Sequence, residues 1–189
     1  MPSIGVFCGS RLGARPAYRE AAAALGQTLA RRGIELVYGG IDAGLMGVVA
    51  DAALAAGGSV IGVVPVGLDE ADRARDGVTA RHEVATLAER KQVMAQLADG
   101  FVALPGGIGT LDEAFEMLAN RQVGTSPAPV GFLDVAGYWS DLVAWFDHAT
   151  GEGFVSPTGR SSLLIGDDPV KLVDRLARAW GVDGKPRRQ

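Results

Sequence analysis

Cysteine is nearly absent from this chain. Cys8 is the only one in 189 residues, so no intrachain disulfide can form and a disulfide-stapled secreted domain is excluded. Histidine is almost as scarce. His82 and His148 are the only two, and neither stands at ligand spacing from another His, Cys or carboxylate, so no zinc site is expected. No apolar run reaches the roughly 18 residues a membrane helix needs, and no signal peptide is visible, so a cytoplasmic protein with no membrane partner is expected. A basic surplus is also lacking. Eighteen Lys and Arg against 22 Asp and Glu leave a net charge of -4, which argues against a nucleic-acid partner. The basic stretch Lys185-Pro186-Arg187-Arg188 is short and belongs to a tail, 183–189, expected to be disordered.

What the chain does have is 48% hydrophobic residues, 21% charged residues and 27 glycines, the composition of a folded α/β protein with tight turns. Its length suits one domain, 1–182. Strand-like runs fall at Ser3 to Cys8, Ile34 to Tyr38, Ser59 to Val64, Phe101 to Leu104 and Pro129 to Leu133. Helical patterns separate most of them, at Ala17 to Arg32, Gly47 to Ala56, Leu87 to Ala98, Thr110 to Arg121, Tyr138 to Thr150 and Pro169 to Trp180. This alternation predicts a doubly wound, Rossmann-like parallel sheet flanked by helices. Pro65 to Asp76 is charged and without apolar period, and reads as a mobile connection.

Glycine clusters follow three of these strands: Gly9-Ser10, Gly39-Gly40 and Gly106-Gly107. In open parallel sheets ligands bind beyond the C-terminal strand ends, so three loops can converge on one crevice. The first loop lacks the GxGxxG spacing and no acidic residue closes the Ile34 to Tyr38 strand, which disfavours an intact nicotinamide cofactor. No GxxxxGK[ST] occurs either. The most informative stretch is Leu104-Pro105-Gly106-Gly107-Ile108-Gly109-Thr110-Leu111-Asp112-Glu113, an apolar strand that turns through glycines into a helix carrying two carboxylates. Amides at a helix N-terminus attract an anion, so Gly106, Gly107, Ile108, Gly109 and Thr110 form a candidate phosphate cradle, with Gly9 and Ser10 lining the same crevice. A helix N-cap role for Thr110 is compatible with this. On residues alone, Glu113 could equally be a carboxylate complementing the helix dipole, Ser10 a local turn residue, and Arg90 and Lys91 a solvated face. Cys8, at a strand end with no paired base in the sequence, reads as a packing residue rather than a nucleophile.

The whole segment resembles the PGGxGTxxE signature of the LOG (Lonely guy) family, long described as lysine decarboxylases and now regarded as nucleoside 5′-monophosphate phosphoribohydrolases. The resemblance covers about the first 155 residues. Phe7-Cys8-Gly9-Ser10 is similar to the family's FCGS, Tyr38-Gly39-Gly40 with Gly44-Leu45-Met46-Gly47 to its YGGG and GLMG elements, and Glu89-Arg90-Lys91 to the end of its MHERK element. It implies that Arg90 and Glu113 are catalytic, that Lys91 helps hold substrate, and that the protein is a homodimer needing no cofactor. Glu116, one turn beyond Glu113, is then expected to flank the base pocket, and Asp112 to be surface. Leu87-Ala88 replaces the family's Met-His, and Ala119-Asn120 replaces a Thr-Trp pair; both changes are expected to touch the substrate pocket or the dimer contact. A family carboxylate 18 residues before the arginine corresponds to Asp72, with Glu70 nearby. Val93, Met94 and Leu97 form a stripe that suits either a dimer face or the core.

The implied activity is hydrolysis of the N-glycosidic bond of a purine nucleoside 5′-monophosphate, AMP or N6-isopentenyl-AMP, to free base and ribose 5-phosphate. The rival readings are a nucleotide or cofactor carrier of the same fold, and a pyridoxal-dependent lysine decarboxylase. No lysine lies near the glycine cradle to serve the latter.

Overall fold

The computed structural model describes residues 1–67 and 76–181. Seven strands form one sheet: β1 (Ser3–Phe7), β2 (Glu35–Tyr38), β3 (Val60–Pro65), β4 (Ala80–Val84), β5 (Gly100–Ala103), β6 (Val130–Leu133) and β7 (Leu164–Gly166). Their spatial order is β4-β3-β2-β1-β5-β6-β7, and every pairing is parallel. The helices are α1 (Pro16–Arg31), α2 (Gly44–Ala55), α3 (Leu87–Leu97), α4 (Ile108–Gln122), α5 (Ser140–Gly151), α6 (Pro157–Ser162) and α7 (Pro169–Gly181). The doubly wound expectation therefore holds. The five expected strands are present, joined by β4 and β7, and α6 is an additional short helix.

Because helices cover both faces, the central strands are apolar on both sides. Ile4, Val6, Leu36, Tyr38, Val102 and Leu104 point into one core with α1, α2 and α7 residues such as Leu25, Leu45 and Leu172. Phe7, Val37, Phe101, Ala103 and Phe132 point into the other, with Met94, Met117 and Phe146. The Phe7 and Phe101 rings stack across adjacent strands with centroids 5.3 Å apart, and a Cβ on Gly5 would press into the Phe101 ring. Gly26 plays a similar part between α1 and α2, where a Cβ would lie 3.0 Å from the Ala53 nitrogen. Small residues on these two helices thus set their close approach.

The stripe on α3 packs against the second core. Met94 is fully buried, and Val93 and Leu97 pack against the same cluster. Thr86 caps this helix by accepting from the Glu89 amide at 3.1 Å, while the Glu89 carboxylate accepts from the Ala85 amide at 2.7 Å. Such a cap contributes about 1 kcal/mol and fixes the first turn, from which Arg90 and Lys91 project. Of the expected mobile connection, Pro65 ends β3, while 68–75, including Glu70 and Asp72, lies outside the described residues; so does the tail at 183–189. No described helix is long and apolar enough to cross a membrane.

Candidate active site

The strand order reverses between β1 and β5, and it is there that crevices open in doubly wound sheets. The loops after those strands meet at the reversal: the Gly9 amide donates to the Pro105 carbonyl at 3.1 Å, and the Gly9 carbonyl accepts from the Leu45 amide at 3.0 Å. Gly44 at the start of α2 has φ +54°, and a Cβ there would collide with the Ser10 backbone. Gly9 is half-buried and Ser10 exposed. The β1, β2 and β5 loops are thereby brought together as expected.

Helix α4 starts two residues earlier than the spacing suggests, at Ile108, and its N-cap is Gly107 rather than Thr110. Thr110 is three residues into the helix and 3% exposed, packed so closely on Gly106 that a Cβ on that glycine would strike it. The cap reading of Thr110 fails for this reason, since its hydroxyl faces back toward Gly106. By contrast, Gly107 and Gly109 stand open, and a Cβ on either would meet nothing within 4 Å. Gly107, Ile108 and Gly109 are exposed at the start of the helix, and no acidic residue stands in the first turn to compete with an anion. Ile108 is 88% exposed at the same lip.

Glu113, one turn further, is only 7% exposed. Arg90 reaches it from α3, Nη2 donating to Oε1 at 2.6 Å. The guanidinium lies over the β2 loop: a Cβ on Gly39 would sit 3.4 Å from Arg90 Nη1 and 3.2 Å from Met46 Sδ. Arg90 Nε is buried and makes no hydrogen bond. Burial raises the Glu113 carboxyl above the usual carboxylate range, and the arginine opposes that rise without cancelling it. Cys8 is buried, its thiol pushed far up first by desolvation and then by the Glu113 charge. A thiolate nucleophile has no support there.

Lys91 sits one residue on and reaches α4 as well. Its ammonium donates to Asp112 at 2.8 Å and pairs with Glu116 at 2.6 Å. Both bonds raise the lysine's pKa. The structure therefore joins Lys91 and Glu116 to each other on the outer side of the Arg90–Glu113 pair. Ala119 and Asn120 lie on the last turns of α4, away from the glycine loop, where Asn120 accepts from Thr125. His82 on β4 and His148 on α5 are both exposed. Among the described residues, no group of three His, Cys, Asp or Glu could hold a metal ion. One contact had no signal in the sequence: Tyr138, just before α5, donates from its hydroxyl to the Gly106 carbonyl at 2.6 Å.

A Rossmann-like sheet with a glycine turn at its switch point and a buried Arg–Glu pair beside it defines a doubly wound α/β protein with one candidate site at the strand ends. The family model described as "Possible lysine decarboxylase" matches residues 46–176. A probable cytokinin riboside 5′-monophosphate phosphoribohydrolase of Oryza sativa subsp. japonica is 46% identical over 173 residues, 92% of this chain and 76% of that one. A cytokinin riboside 5′-monophosphate phosphoribohydrolase of Arabidopsis thaliana is 43% identical, again over 92% of this chain and 80% of its own. Among solved structures, the molybdenum cofactor binding protein from Rippkaea orientalis superposes with a TM-score of 0.71 at 26% identity, covering 94% of this chain and 96% of that one. The chain belongs to the LOG family.

Proposed function

We propose that this enzyme is a phosphoribohydrolase that cleaves the N-glycosidic bond of AMP and N6-prenylated AMP, releasing free base and ribose 5-phosphate. The observation that carries the reading is the buried Glu113 carboxylate, paired with Arg90, one helical turn from an exposed glycine loop. The α4 N-terminus holds the 5′-phosphate, and that remote contact sets the ribose over Glu113. As the C1′–N9 bond breaks, its electron pair leaves with the base and positive charge grows on the ribose. The Glu113 carboxylate opposes that charge and takes a proton from the water whose oxygen bonds to C1′; the departing base takes up a proton from solvent, and Glu113 returns its own to solvent to complete the cycle. Arg90 holds the carboxylate in place and favours its ionised form. Ser10 and Gly9 border the phosphate, while Lys91 keeps Asp112 and Glu116 drawn to α3 at the edge of the base pocket. A homodimer belongs to the same proposal, and sedimentation measures it.

Two observations separate this from its rivals. An imine-forming lysine must shed its proton, usually with help from desolvation or a cationic neighbour; Lys91 is held charged between two carboxylates, so the decarboxylation chemistry suggested by the family description has no support. A carrier needs no buried carboxylate beside the sugar, and Glu113 bears a desolvation cost that binding alone does not require. The test is release of base and ribose 5-phosphate from AMP and N6-isopentenyl-AMP by wild type beside Glu113→Gln. Turnover that collapses in the variant supports hydrolysis. Tight AMP binding with no base released by either protein would favour the carrier.

A further inference from the structure

The Gly106–Gly107 peptide is the least constrained unit of the cradle, because glycine on both sides lets it rotate with little steric penalty. In a trans peptide the C=O and the following N–H point in opposite directions, and no cis bond occurs among the described residues. Whatever holds the Gly106 carbonyl therefore aims the Gly107 amide. Tyr138 holds it, through the 2.6 Å hydrogen bond from its hydroxyl. The preceding carbonyl, Pro105, is held in the same manner by the Gly9 amide. Successive amides of the loop are thus directed by clamps on the opposite side of the chain.

The tyrosine is itself firmly mounted. Its ring packs edge-on against Tyr18 and Trp139, with centroids 5.6 and 4.7 Å away. The turn that delivers it contains Ala136 at φ 54° and Gly137 at φ 74°. Ala136 is the only non-glycine residue with positive φ among those described, and an alanine resists that conformation. Arg15, ahead of α1, donates to the Ala136 carbonyl at 3.2 Å, and the Trp139 amide donates to Asp134 at 2.7 Å on the far side of the turn. A strained turn fastened at both ends thus sets Trp139 in the core against Phe132, with ring centroids 5.2 Å apart, and the Tyr138 hydroxyl on one glycine carbonyl.

We infer that Tyr138 is a positioning residue for phosphate binding, which locks the Gly106–Gly107 peptide so that the Gly107 amide faces the anion. The inference rests on the reading of the glycine loop as the phosphate site. Tyr138→Phe is the test, since it keeps the ring and its packing and removes only the hydroxyl. The loss of one hydrogen bond of ordinary net strength raises the Kd for ribose 5-phosphate and the KM for AMP together, by roughly three- to tenfold. It leaves kcat within about twofold and the affinity for adenosine, which has no phosphate, unchanged. The Gly107 amide resonance, which moves when ribose 5-phosphate is added to wild type, moves less in the variant at saturation. An unchanged Kd for ribose 5-phosphate would overturn the inference. Equal weakening of adenosine and ribose 5-phosphate would do the same, since it would mean general loosening of the crevice. Wild type that binds ribose 5-phosphate yet releases no base would end the hydrolase reading and leave this one standing; wild type that binds neither phosphorylated ligand overturns both.

Discussion

Helices α3 and α4 are tied by two sets of ion pairs whose members are sequence neighbours, and the two sets behave differently. Arg90 and Lys91 are about equally buried, with side chains 14% and 15% exposed, but Glu113 is 9% exposed whereas Asp112 and Glu116 are 60% and 34% exposed. In the inner set burial dominates: the carboxyl is pushed up despite the arginine. In the outer set the hydrogen bonds dominate and water shares the charge. One residue of offset on α3, from Arg90 to Lys91, thus separates a cation paired with a buried carboxylate from one paired with exposed and half-buried carboxylates. Reactivity toward a developing cation is expected of the first, and adhesion between helices of the second.

The largest break in this comparison comes from Glu113→Gln. The amide keeps the shape and can still accept from Arg90, but it carries no charge and takes no proton. Base release should fall by about 10² to 10⁴-fold. The pH dependence sharpens the same point. Native Glu113 retains its proton to higher pH than the unfolded chain does, so the native state binds the extra proton between the two pKa values and stability falls as pH rises through that window. The wild type should therefore lose stability relative to Glu113→Gln on going from acid toward neutral pH. Activity runs the other way: kcat should climb through an acid limb lying above the usual carboxylate range, and that limb should be missing from the variant's residual rate. A limb at an ordinary carboxylate pKa would remove the distinction between the two sets.

Arg90→Ala comes next. Deleting one partner of a buried pair leaves the other charge uncompensated, at about 3 kcal/mol, and here Glu113 would answer by rising further and protonating. Activity and stability at neutral pH should fall together, the stability loss shrinking in acid as the carboxyl becomes neutral. Denaturant melts at two pH values measure this. Gly39→Ala perturbs the same arginine more gently. Its Cβ would sit 3.4 Å from Arg90 Nη1 and 3.2 Å from Met46 Sδ, both flexible groups, so stability should change by about 1 kcal/mol or less while kcat drops severalfold. If kcat were unmoved, the placement of Arg90 over the β2 loop would have no bearing on the chemistry.

The sequence displayed most of this architecture because parallel strands buried on both faces are apolar runs, and each expected run became a strand. What escaped it is the edge. β4, Ala-Arg-His-Glu-Val, is exposed along four of its five residues, so no apolar pattern marks it, and β7 is three residues long. The open turn into α4 was legible from its glycines. The burial of Glu113 was not, because a carboxylate early in a helix has a sufficient explanation in the dipole, and only the tertiary approach of α3 encloses it. Tyr138 was hidden for a similar reason: its partner is a backbone carbonyl 32 residues away, and no spacing rule connects a ring before one helix to the loop before another. The pairing of Lys91 with Asp112 and Glu116 was equally non-local.

The smallest effect is expected from Lys91→Met, which keeps the stem and removes the ammonium. Its carboxylate partners are partly hydrated, so solvent screening leaves the interaction about 0.5 kcal/mol at neutral pH. The sign is fixed by the lysine's raised pKa: the contribution is complete below the unfolded-state value and is lost as pH rises through the folded one, so wild type and variant should converge in strong alkali. Added salt should narrow the gap at neutral pH, whereas it should barely alter the cost of Arg90→Ala. For activity the two sets part most clearly. Glu116 no longer drawn toward α3 should shift KM by twofold or so and leave kcat alone. A fall in kcat comparable with that of Arg90→Ala would mean that the outer charges reach the reacting sugar, and that the division between a reactive inner pair and an adhesive outer cluster is wrong.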